Sequence, residues 1–252
     1  MKSKKTIGII IVACVVVGIV YAISSMLPEN QAQIVLIGVA VTILIIWMGI
    51  KIANMFRLNK IVSAPTYLLY EEKRPDLYVQ EMQQIVEKMS SRQQKDLIRI
   101  NIAAGYLYNG QLEKVEEQIQ QIALPGQPEA NQVLCYAYEA MAYFLKGERE
   151  KGLEVIESQR SLLKKYDSTA SGLTNNVLVL YGFEKIAKGE YKEALETLDL
   201  LKEKKVSSIL QDIVDYLYLE CYRNLKMDAE RHALRDMMRK ASVVPVIKNK
   251  IA

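Results

Sequence analysis

Gly189-Glu190-Tyr191-Lys192-Glu193-Ala194-Leu195-Glu196 is the stretch that decides the fold of most of this chain. Glycine accepts the left-handed backbone that closes a helix, so Gly189 marks a turn. Beyond it, Ala194, Leu198 and Leu201 recur at helical spacing, with charged residues between them. The pattern predicts one helix ending at the glycine and a second starting just after it. Comparable breakers stand on either side: Arg74-Pro75-Asp76, Asn109-Gly110, Lys146-Gly147 and Lys226-Met227-Asp228. Taking 74, 110, 147, 189 and 226 as turn positions, the spacings are 36, 37, 42 and 37 residues. A near-constant period in this range is the signature of stacked helical hairpins. β-Branched alternation is nearly absent, which leaves an all-α domain.

The residues at fixed distances from these turns carry a resemblance. Seven positions before them stand Ala103, Ala140, Gly182 and Leu219; four before stand Tyr106, Tyr143, Lys185 and Tyr222; five after stand Val115, Gly152, Ala194 and Arg231. A small residue and an aromatic in the first helix, a turn glycine and a small residue in the second resemble tetratricopeptide repeats. The resemblance covers residues 66–241 and implies an α-solenoid of about four to five hairpins. Small residues let two helices cross closely, and an aromatic fills the space between hairpins. Lys185, Glu139 and Arg231 depart from the pattern.

Ahead of the repeats lie two apolar runs, Thr6 to Leu27 and Ile34 to Phe56, separated by Pro28-Glu29-Asn30-Gln31-Ala32-Gln33. The first holds no charge. At about 1.5 Å per residue it reaches roughly 33 Å, enough for a hydrocarbon core of about 30 Å. The second is uncharged from Ile34 to Ile50, and Lys51 sits where a long side chain can snorkel. The expectation is two transmembrane helices, 6–27 and 34–56, joined by an outside loop at 28–33. Lys2, Lys4 and Lys5 precede the pair, and Lys51, Arg57 and Lys60 close it. The positive-inside rule then puts both termini in the cytoplasm, in a bacterial plasma (inner) membrane. The remaining divisions are a basic start at 1–5, a juxtamembrane linker at 57–65, the repeat domain at 66–241 and a tail at 242–252.

Small residues recur along both spans: Cys14, Gly18 and Ala22 on the first, and Gly38, Thr42, Gly49 and Ala53 on the second. Such stripes let helix backbones approach in lipid. They either pack the two spans together or dock a partner's span.

Composition bounds the chemistry. The formal net charge is +4, with 33 Lys and Arg against 29 Asp and Glu. Most of that excess flanks the spans, and the part after them is nearly neutral. No concentrated basic face stands out, so nucleic acid is not expected as a partner. Three cysteines far apart form neither a disulfide framework nor a zinc motif. His232 is the single histidine, set among charged residues. No phosphate-binding loop or metal-ligand spacing occurs. No enzyme, cofactor or metal is expected.

The first helices are unusually apolar. Gln132 to Leu145 holds one charge in fourteen residues. In tetratricopeptide repeats these helices line a groove, which the resemblance places at Ile100, Ala104, Ala137, Met141, Phe144, Val179, Phe183 and Tyr216. A helix apolar all round is buried on both sides. Either the array covers its own groove by curling or by forming a homo-oligomer, or a Tyr- and Met-rich groove accepts a partner helix. The expected function is a membrane-anchored adaptor that binds a protein segment. The alternative is an accessory subunit of a membrane transporter or cell-envelope enzyme, acting through its spans.

Overall fold

The structure is a computed structural model, and it describes residues 29–168, 172–241 and 244–251. The chain divides into two units, Met1–Ile61 and Val62–Ala252. Among the described residues every regular element is helical. The first expected span and its stripe residues Cys14, Gly18 and Ala22 lie outside the described residues.

Helix α1 (Glu29–Tyr70) runs for 42 residues. The stretch expected as an outside loop is helical from Glu29 onward, and the stretch 57–65 continues the helix. Pro65 is accommodated inside it although proline cannot donate the i→i−4 bond; Thr66 Oγ1 donates to the Val62 carbonyl nearby at 2.8 Å. Apolar side chains from Ile37 to Phe56, including Leu44, Ile45, Ile46 and Trp47, are exposed on all sides. Among the described residues no helix is long and apolar enough to cross a membrane. The uncharged stretch 34–50 lies within α1.

The second unit is a series of helical hairpins. The end of α1 turns through Lys73, whose φ is +50°, into α2 (Pro75–Lys88). Proline at the first helical position suits α2, because that N–H would have no partner anyway. Four further pairs follow: α3 (Arg92–Asn109) with α4 (Leu112–Gln120), α5 (Glu129–Lys146) with α6 (Arg149–Ser158), α8 (Leu173–Ala187) with α9 (Tyr191–Asp199), and α10 (Ser208–Leu225) with α11 (Asp228–Lys240). The short α7 (Arg160–Lys164) and the loop after it fill the longest interval between turns.

The four turns share one hydrogen-bond pattern. Gln111, Glu148, Glu190 and Met227 each donate from the backbone N–H to the carbonyl five residues back: Tyr106, Tyr143, Lys185 and Tyr222. At the first three turns a glycine takes the left-handed position, with φ of +78°, +90° and +79° at Gly110, Gly147 and Gly189. Lys226 holds the same position at φ +58°. This Schellman closure satisfies carbonyls that the helix end would leave bare.

Packing repeats along the series. Each second helix rests on its own first helix, and α4, α6 and α9 also rest on the first helix of the next pair, while α3, α5, α8 and α10 form a row. Crossings are close where side chains are small. A Cβ on Gly182 would come within 3.0 Å of Leu198, and one on Gly152 within 2.8 Å of the Phe144 ring. Ala103, Ala140, Val115 and Ala194 are fully buried.

The series does not stay open. Lys73 Nζ donates to both carboxylate oxygens of Asp212 on α10, at 2.8 and 2.9 Å. Ser208 Oγ donates to the Tyr70 carbonyl at 2.6 Å. The first hairpin therefore meets the last. Residues 245–251, within the stretch set apart above as a tail, form α12 (Pro245–Ile251), which packs against α3, α10 and α11. Val246, Ile247 and Ile251 are buried there, and the Val244 N–H donates to Asp212 Oδ2 at 2.9 Å.

Candidate functional site: the inward face of the first helices

A helix whose apolar residues wrap most of its circumference must bury two faces. The first helices do so among themselves. Ala137 and Met141 on α5 and Val179 on α8 are fully buried, and Ile100, Ala104 and Phe183 nearly so. Phe144 is half-buried and stacks on Phe183, with ring centroids 5.3 Å apart and planes 5° from parallel. Phe144 and Phe183 thus meet between the neighbouring first helices α5 and α8. Six of the eight expected groove positions are buried among the described residues. The eighth, Tyr216 on α10, is half-buried and borders Ile251 of α12.

The centre is filled with tyrosines. Tyr78, Tyr108 and Tyr138 are buried, and Tyr70 at the end of α1 lies close to all three. Burial pushes their phenols well up, and mutual proximity pushes them further. All stay protonated at neutral pH and act as rings with a polar tip. Tyr78 Oη donates to Asn101 Oδ1 at 3.3 Å, one example of how such a tip is satisfied.

Three buried carboxylates are held by named donors. Asp212 receives Lys73 and the Val244 N–H. Asp96 receives Gln127 Nε2 at 3.1 Å and Arg99 at 3.3 Å. Glu184 receives Arg160, and Lys188 at 2.6 Å. For Glu184, burial raises the carboxyl pKa, but the hydrogen bonds from Arg160 and Lys188 outweigh it and the net shift is downward. Buried charges must be paired in this way or they neutralise. These groups fasten elements together, and each is already saturated by its partners.

Of the other chemistry-bearing residues, Cys135 and Cys221 are buried, and burial pushes both thiols up to about 12. Such thiols are protonated and unreactive at neutral pH. His232 is exposed on α11. Among the described residues no cluster of His, Cys, Asp or Glu is arranged to hold a metal ion. On α1, a Cβ at Gly38 or Gly49 meets no described atom within 4 Å, and Ala53 is exposed. Thr42 Oγ1 donates to the Gly38 carbonyl of its own helix at 2.8 Å.

The sequence reading missed α12 and the cavity it borders. The cavity is lined by Arg223, Arg231, Arg235 and Lys250. The signal available was Arg231, a charge where the repeat pattern calls for a small residue. No family model, curated protein or solved structure matches the chain.

Proposed function

We propose that this chain is a membrane-anchored adaptor whose tetratricopeptide-like domain binds a helical segment of another protein. Two apolar runs flanked by lysines support the anchor, and so does the all-round apolar surface of α1, which suits lipid better than water. The binding face is the seat of α12 on α3 and α10, and a partner helix takes that seat in place of α12.

The observation that carries this reading is α12 itself. It is seven residues long, too short to be stable alone, and it holds its place by burying Val246, Ile247 and Ile251 on two first helices. A longer amphipathic helix from a membrane-bound partner offers more apolar contact to the same surface. Anchoring keeps such partners at high effective concentration. A photoreactive residue at Tyr216 tests this in cells. Ile247→Asp loosens α12 and is expected to increase one discrete crosslinked product several-fold over the unaltered chain. Crosslinking that ignores Ile247→Asp, in a chain that remains folded by circular dichroism, refutes the reading.

A second reading is supported by the small residues Gly38, Thr42 and Gly49 along α1. There the chain is an accessory subunit that docks through its spans. Gly49→Leu then abolishes co-purification of the partner, and Ile247→Asp leaves it intact.

A further inference from the structure

A cavity of about 210 Å³ opens where α10, α11 and α12 meet. Its walls bring together Arg223 from α10, Arg231 and Arg235 from α11, and Lys250 from α12, against the single carboxylate of Glu220. In sequence these cations are scattered over 28 residues, and none belongs to a basic run. Arg231 and Arg235 are four apart on one helix, so they project from the same face. The short α12 supplies the opposite wall.

The charges do not balance. Glu220 is taken by Arg223 at 2.5 Å. Arg231 comes no closer than 3.9 Å to Asp228, whose side chain is 71% exposed, so that pairing is weak and screened. Neither Arg235 nor Lys250 has a carboxylate in salt-bridge range among the described residues. Tyr216 on the floor is raised to about 12, first by burial and then by Glu220, while Arg223 and Arg149 pull it the other way. Several cations converging in a concave, partly apolar site focus a positive potential, and they repel one another until an anion enters. Guanidinium forks match the oxygens of a phosphate in pairs, and a lysine adds a point charge.

We propose that this cavity is a binding site for a phosphate group, either of a small soluble compound or of a lipid headgroup. The group is gripped by Arg231 and Arg235 on one side and by Lys250 on the other. It bridges α11 to α12 and so fastens the helix that closes the array. A single concave site differs from the extended basic stripe that a nucleic-acid backbone requires. The site is complete only while α12 is seated, and it needs no partner to displace that helix, so it does not rest on the function proposed above.

The test uses the full chain in nanodiscs of phosphatidylcholine. Inorganic pyrophosphate is titrated at constant ionic strength with chloride as the balancing anion, and binding is followed by calorimetry and by the thermal midpoint. A second set of nanodiscs includes phosphatidic acid. Saturable pyrophosphate binding that raises the midpoint, weakened about tenfold or more by Arg235→Gln and by Lys250→Gln, supports a soluble ligand. A raised midpoint in phosphatidic acid discs alone, lost in the same two variants, supports a headgroup. Exposed Lys240→Gln serves as the control and leaves either effect unchanged. No response to either phosphate source, or a response untouched by both Arg235→Gln and Lys250→Gln, overturns the proposal.

Discussion

Single positions in this domain are constrained by distance more than by chemistry. Gly105 sits where α3 crosses α2, and a Cβ there would lie 2.6 Å from Val79 Cγ2 and 2.8 Å from Tyr78 Cδ1. Both neighbours are buried and have no room to swing away. Gly105→Ala should therefore lower stability by about 1–3 kcal/mol despite its better helix propensity, seen as a lower urea midpoint. Glu184 offers a pH-dependent counterpart. Its folded pKa is lowered, so its contribution is fully present above the unfolded value near 4.5 and is lost as pH falls through the folded one. The urea midpoint of the unaltered chain should fall with acidification more steeply than that of Glu184→Gln, and the two curves should converge at low pH. Parallel curves would show that Arg160 and Lys188 do not hold this carboxylate in its charged form.

At the scale of elements, the turns are the part most legible in the sequence. Glycine at 110, 147 and 189 announces a left-handed residue because no other side chain adopts it so cheaply, and the shared closure confirms those three. Lys226 was placed by spacing alone. It adopts the same geometry against its steric preference, so Lys226→Gly should stabilise the domain by about 1 kcal/mol, measurable as a shift in urea midpoint without change in slope. One element was illegible for an identifiable reason. α12 spans seven residues, less than the length over which periodicity can speak, and part of its burial rests on α3, more than a hundred residues away. The apolar character of the first helices is legible, and Met141 and Phe183 are buried, Phe183 against Phe144 of the neighbouring first helix. Pattern records that a face is covered and not by what. The cationic cavity was hidden likewise, since Arg223, Arg231, Arg235 and Lys250 converge only after three elements fold together.

At the scale of the whole hairpin domain, Asp212 is the joint. It ties Lys73 from the first turn and Val244 from the C-terminal segment to α10. Asp212→Ala strands a largely buried ammonium and a buried N–H at once. The expected loss is about 3–5 kcal/mol, with faster proteolytic cleavage after residue 241 as an independent sign that the joint has opened. Asp212→Ala with unaltered stability and unaltered cleavage would mean that closure rests on apolar packing alone. Closure also changes how such a protein comes into being. A linear repeat array can fold one unit at a time as it leaves the ribosome, each unit needing only the one before it. Here Lys73 waits for a partner 139 residues downstream. The nascent domain would stay unsealed until α10 and the segment around Val244 had been made, so the emergence of these late elements, more than that of any single hairpin, sets when it becomes whole.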